Sequence, residues 1–166
     1  MKNNTKILLQ IYILLLFSIV VKAQNKKMEL STTIGFVINH GELDNQFQEI
    51  SNGGHLGFNL YSTKEKRFKS DLQLSMNISG NSSSSLLSIN GLYGGRYYFT
   101  KPDKSTAIFG NALIGGAYIS EIGDDFIESS FGLGYSVGVF MDLKKIVLGI
   151  SAESSNNFIL KAGYKF

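Results

Sequence analysis

The side chains able to do chemistry are few and scattered. Two histidines, His40 and His55, are the only imidazoles among 166 residues, and Ser51 and Glu49 stand near them in sequence. A hydrolytic triad needs a nucleophile, a base and an orienting acid within mutual hydrogen-bond reach. Nothing in this spacing matches a catalytic signature, so both histidines read as solvated loop side chains and no catalytic residue is assigned. Two acidic groups are sharper: Glu42, Asp44 and Glu49, then Glu121, Asp124, Asp125 and Glu128, with no Lys or Arg inside either stretch. Hard carboxylate oxygens suit Ca²⁺ or Mg²⁺. The spacing matches no EF-hand loop, however, and the groups read as solvated acidic surface. Cysteine is absent, which excludes disulfides, thiol nucleophiles and thiolate metal sites. No metal or cofactor is expected.

A third group is embedded in regular sequence. Glu29, Lys69, Asp71, Arg96, Glu153, Lys161 and Lys165 each fall on the polar phase of a segment whose every second residue is apolar. Period two marks a strand with one greasy and one polar face. The cleanest case is 68–79, where Phe68, Leu72, Leu74, Met76 and Ile78 alternate with Lys69, Asp71, Gln73, Ser75 and Asn77. Similar segments are 28–39, 53–61, 86–100, 106–120, 129–141, 146–153 and 158–166. In 86–100, Leu92 and Tyr98 interrupt the polar face and are expected to pack inside. The segment 106–120 is ambiguous in phase, because Ile108, Ile114 and Tyr118 on one face meet Phe109, Leu113 and Ile119 on the other. Short turns are expected at 62–67, 101–105 and 142–145, alternating with longer loops at 40–52, 80–85 and 121–128; 154–157 departs from that rule. The turns lean basic: Lys64, Lys66, Arg67, Lys101, Lys104, Lys144 and Lys145 outnumber Glu65, Asp103 and Asp142.

The first 23 residues read as a signal peptide. Lys2 and Lys6 precede an apolar run from Ile7 to Val21, and Val21-Lys22-Ala23 places small residues for a cut before Gln24. The run is shorter than the roughly 20 residues of a spanning helix. This segment carries three lysines and no acid, so residues 24–166 hold 13 basic and 13 acidic residues. A net charge of zero gives no support to a nucleic-acid partner.

The last nine residues, Phe158-Ile-Leu-Lys-Ala-Gly-Tyr-Lys-Phe166, are organised around an apolar face that ends on Phe166. The stretch resembles the C-terminal signal strand of bacterial outer-membrane β-barrels. With the signal peptide and eight alternating segments, the chain resembles the small OmpA/OmpX-type barrels. The Ala23-Gln24 cleavage region and Arg96-Tyr97-Tyr98-Phe99 are similar to versions from Bacteroidota-type bacteria. The resemblance implies an all-β fold, an eight-stranded antiparallel transmembrane up-and-down barrel over 24–166, with no peptidoglycan-binding domain after it. It implies the cell outer membrane as location, outer-membrane lipid and the barrel-assembly machinery as partners, and Tyr164 and Phe166 as the assembly signal. Two aromatic belts follow, Phe36, Tyr118, Phe131 and Phe158 above, and Phe68, Tyr97, Phe99, Tyr164 and Phe166 below.

So small a barrel is filled by its own side chains. Charges in a narrow lumen should pair, and the expected pairs are Glu29–Lys165, Asp71–Arg96 and Glu153–Lys161. Three function classes remain: a plugged structural or surface-interaction barrel, which is favoured, a narrow channel, and a lipid-modifying enzyme. No external ligand is named. The cleavage site gives a direct check: N-terminal sequencing of the exported protein should begin at Gln24, and a retained Met1 would overturn the signal-peptide assignment.

Overall fold

The alternating segments become strands, and the strands close on themselves. The computed structural model describes residues 28–40, 50–63, 67–80, 84–102, 105–123, 127–154 and 157–166. The expected signal segment, Glu42, Asp44, Glu49, Asp124 and Asp125, and the side chains of His40 and Ser51, lie outside the described residues. Eight strands follow one another: β1 (Met28–His40), β2 (Ile50–Ser62), β3 (Phe68–Gly80), β4 (Ser84–Tyr98), β5 (Ala107–Gly123), β6 (Ile127–Leu143), β7 (Ile146–Glu153) and β8 (Asn157–Lys165). Each pairs antiparallel with the next, and β8 pairs with β1. Closure leaves every backbone donor and acceptor of the paired wall satisfied inside the sheet, the condition for crossing lipid with strands.

The register fixes the tilt. Directly opposed residues run from Glu29 through Tyr61, Asp71, Gly94, Leu113, Ser136, Glu153 and Asn157 and return to β1 at Asn39. The circuit climbs from residue 29 to residue 39, and that stagger over eight strands corresponds to a tilt of about 40°. The wall is uneven at the end away from Met28 and Phe166. β6 pairs with β7 only from Ser136 to Leu143, yet its pairing with β5 continues to Ile127. The β5–β6 hairpin therefore rises above the ends of β7 and β8 as a ribbon that β4 backs along β5 up to Gly123 and that is left unpaired along β6.

Side chains are distributed inside out. On β3, Lys69, Asp71, Gln73, Ser75, Asn77 and Ser79 are buried, and the apolar residues between them face outward. The same holds round the wall: the strongly exposed large apolar side chains, such as Ile34, Ile114, Ile150 and Phe158, all sit on the outward phase. Both faces of β5 are apolar because its inward side adds Phe109 and Leu113 to the lumen while Ile108, Ile114 and Tyr118 face out. Leu92 and Tyr98 pack inside, as expected. Near the end that carries the termini, Tyr98, Ala107, Phe109, Phe140 and Val147 form an apolar cluster. Phe109 and Phe140 stack with ring centroids 5.2 Å apart.

Strands are longer than the pattern suggested. β2 begins at Ile50 instead of Gly53, and β5 and β6 extend to Gly123 and from Ile127. The expected acidic loop 121–128 is thus mostly strand, with Glu121 directly opposite Glu128. The expected alternation of short and long connections fails for the same reason: Ser-rich 80–85 and the acidic stretch continue the ladders of their neighbours, leaving only 81–83 and 124–126 between strands. Asp142, expected in a turn, belongs to β6 and is buried.

Candidate functional site: a filled polar lumen

Glu153 sits at the centre of the lumen. It ends β7, the shortest strand, and its side chain is fully buried. Oε1 accepts hydrogen bonds from Gln73 Nε2 at 2.7 Å, Ser136 Oγ at 3.3 Å and Lys161 Nζ. Oε2 accepts from Ser75 Oγ at 3.2 Å and Asn77 Nδ2 at 3.1 Å. The donors come from β3, β6 and β8, so one carboxylate joins β7 to its neighbours and to the opposite wall. The period of two explains the supply: Gln73, Ser75 and Asn77 are consecutive inward positions of one strand. The expected Glu153–Lys161 ion pair is present.

The same network takes up His55. Its Nδ1 lies 2.6 Å from Asn77 Oδ1 and its Nε2 lies 3.1 Å from Thr33 Oγ1. The expectation of a solvated loop histidine is corrected: His55 is buried, because it lies within the alternating segment 53–61 on the same polar, inward phase as Asn59. Gly57 makes the room. A Cβ there would meet His55 Nε2 at 2.8 Å.

A second layer lies nearer the chain termini. Arg96 donates from Nε and Nη2 to Asp71 Oδ2, at 2.9 and 2.6 Å, the pair expected from sequence. Asn59 Nδ2 reaches the other oxygen of Asp71 at 3.4 Å. The guanidinium lies 3.6 Å from the Tyr61 ring centroid and 4.7 Å from that of Phe109, a cation–π arrangement that stabilises a buried cation. Lys69 Nζ lies 5.0 Å from the Tyr98 ring centroid.

The third expected pair is corrected. Lys165 bonds Asp142 Oδ1 at 2.5 Å, and the Tyr98 hydroxyl donates to Asp142 Oδ2 at 3.3 Å. Glu29 is not the partner of Lys165 because the register sets Lys165 opposite Ser31, two residues above Glu29, and β8 goes no further. Glu29 instead stands opposite Tyr61.

Sequence reasoning missed Asp142, Tyr61 and the neutral donors around Glu153. Continuing the even phase of β6 past Phe140 would have placed Asp142 inward. Partners on the opposite wall, such as Gln73 and Glu153, leave no local signal. Between the two layers, Thr33, Asn59, Gln73, Arg96, Asn111 and Lys161 help line a cavity of about 20 Å³, room for about one water. Among the described residues, no group of three or more His, Asp and Glu side chains gathers to hold a metal. What the site does chemically is neutralise and fill.

No protein-family model matches the sequence, and no curated protein does. Solved structures do match. Ail, the attachment invasion locus protein of Yersinia pestis, aligns at a TM-score of 0.59 with 16% identity, over 84% of this chain and 99% of that one. Neisserial surface protein A aligns at 0.57 with 14% identity, over 84% and 96%. The outer membrane enzyme PagL aligns at 0.52 with 17% identity, over 83% and 98%. The chain has the fold of the small eight-stranded outer-membrane barrels. That fold carries an outer membrane enzyme as well as an attachment invasion locus protein and a surface protein, so activity has to be argued from this chain's own residues.

The ion pairs generate a stability test. Lys161→Met leaves the Glu153 carboxylate without its cation, and Glu153→Gln leaves Lys161 without its anion. Each single change is expected to cost about 3–5 kcal/mol, and the double change to recover part of the loss. The chain has no tryptophan, so urea unfolding is read by far-UV circular dichroism and by the folded band on unheated gels. Single variants as stable as the parent would show that water, and not the partner, solvates these charges.

Proposed function

We propose that the protein is a plugged outer-membrane barrel that presents the raised β5–β6 ribbon to partners at the cell surface. The observation that carries this reading is the ribbon's unpaired edge. Among the described residues, Ile127–Gly134 of β6 pairs with β5 alone. Just below, Ser154 closes the edge: Tyr135 N donates to Ser154 Oγ at 2.8 Å, and Ser154 N donates to Tyr135 O at 3.0 Å. An unpaired strand edge is a template for an added strand. Phe131 and Leu133, 78% and 72% exposed, flank it with apolar surface. The names of Ail and Neisserial surface protein A speak of attachment and surface display in those proteins, which agrees with this reading.

Membrane residence is supported by the inside-out wall. An exposed apolar surface of this extent is tolerated where lipid covers it. The side chains expected in two aromatic belts face outward and are exposed. With the termini in the periplasm, the ribbon stands outside. The channel reading is disfavoured by the filled lumen. We read the chain as non-enzymatic, since His55 is held by Thr33 and Asn77 inside the wall, away from lipid substrates.

Ala117 and Gly132 are directly opposed, so replacing 118–131 with an Asn-Gly turn removes the ribbon and leaves a two-residue hairpin, with Ser85–Ile89 of β4 then paired to β3 alone. This variant should still give a folded band and no steady conductance in planar bilayers, and cells carrying it should lose adhesion to protein-coated surfaces. Unchanged adhesion, or steady conductance by the unaltered barrel, would overturn the proposal.

The last strand carries a second test. Phe166 is 73% exposed on the outward face, packs edge-on to Tyr164 with centroids 5.3 Å apart, and donates its backbone N–H to Leu30 O. We read it as the signal met by the assembly machinery. Deleting Phe166 should lower the amount of folded barrel in the outer membrane without blocking export. Equal amounts of heat-modifiable protein would count against that role.

A further inference from the structure

We propose that the outer wall at the β6–β7 corner is a binding site for one anionic glycerophospholipid of the periplasm-facing leaflet, a reading that rests on the membrane orientation given above. A furrow of about 810 Å³ crosses the outward face from β1 to β5. Its rims are Ile34 and Phe36 on one side and Ile108 and Met141 on the other. Its floor is recessed at Ala162, which brings only a methyl group to the outward face of β8. A second hollow of about 420 Å³ continues it upward, sharing Val139, Ile150 and Leu160. The lower furrow is apolar and suits an acyl chain.

What selects the headgroup lies directly beneath. β6 and β7 are joined by a turn of only Lys144 and Lys145, both exposed. The adjacent acid, Asp142, points inward and is neutralised by Lys165. Among the described residues neither turn lysine has a carboxylate partner, so two cations stand together at the turn below Met141 and Leu148, the opposed pair that lines the lower furrow. Lys145 Nζ lies 5.9 Å from the ring centroid of Tyr164, which is itself outward and exposed. The turn also holds the chain's one non-glycine residue of positive φ among those described, Lys144 at 58°. Tight hairpin turns take Asn or Gly there at lower cost, and a strained residue at a surface corner points to a role outside the fold. A phosphodiester bridged by the two ammonium groups, with Tyr164 at the lipid–water boundary and a chain in the furrow, uses all of these features. Phosphatidylglycerol presents one net negative charge and fits. Phosphatidylethanolamine brings its own ammonium and fits less well.

The test uses the folded barrel in micelles doped with either lipid, with retained lipid counted by native mass spectrometry. The parent should hold one phosphatidylglycerol in preference to phosphatidylethanolamine. Lys144→Gln with Lys145→Gln should weaken retention about tenfold or more. Ala162→Leu, which fills the furrow from outside, should weaken it without touching a charge. Lys101→Gln, an exposed lysine on the β4–β5 turn, should leave it unchanged. Equal retention of both lipids, an equal loss on Lys101→Gln, or no loss in the turn and furrow variants would each overturn the site. The folded band on unheated gels shows that each variant is intact. A chain that stays soluble without detergent would instead refute the membrane reading itself.

Discussion

One buried carboxylate carries the interior. Glu153 has no exposed surface and lies where a lone charge is costly to hold. Its five hydrogen bonds, one from a cation, offset that cost and tie β7 to β3, β6 and β8. β7 and β8 are the shortest strands of the wall, with 8 and 9 residues against 17 in β5 and β6. The side with the fewest ladder bonds is thus the side cross-braced through the lumen. The Asp71–Arg96 pair does the same for β3 and β4, and the Asp142–Lys165 pair links β6 past β7 to β8. A polar lumen built this way is a set of struts, and it leaves no wide passage.

The stagger that lets eight strands close also shapes the outer end. Because opposed residues climb round the wall, two strands of similar end position in sequence do not end at the same height. β5 and β6 overtop β7 and β8, and the raised edge of β6 follows from closure together with their length. No residue has to be specified for it beyond those that keep Ile119–Ile122 and Ile127–Ser130 in register. A surface feature and a core feature therefore share one origin, the register of β6, which is paired low down with β7 and high up only with β5.

Much of this was legible in the chain. Alternation in 68–79 and 129–141 gives the strands, the outward face and the inward charges, because period two is a local property. Asp71 and Arg96 could be paired since they lie on adjacent strands near the same end. Strand ends were less legible. Gly80, Ser84, Ser85, Glu121 and Glu128 look like loop residues by type, yet a neighbouring ladder holds them extended, and local composition carries no record of a neighbour. Lys165 went to the wrong partner for a related reason. Knowing that β1 and β8 touch does not say by how many residues they are offset, and an offset of two moves Glu29 beyond the end of β8. His55 lay on the polar phase of 53–61, and following that phase inward would have placed it in the lumen.

β5 shows why a polar interior matters to specificity as well as to filling. A slip of one residue turns every side chain of a strand to the other face. For β3 such a slip would push Lys69, Asp71 and Gln73 into lipid, so its phase is fixed by its own sequence. β5 has no such guard, since both of its faces are apolar over 106–120. Its phase is imposed from outside: Arg96 opposes Asn111 on one side, and on the other Phe140 opposes Phe109, which packs against Tyr98 in the lumen. A slip of β5 would move Phe109 and Asn111 out of the lumen and bring Ile108 and Ile114 against the buried Arg96–Asp71 pair. The charged neighbours thus fix the strand that carries no charge of its own in the membrane, and through it the height of the ribbon above.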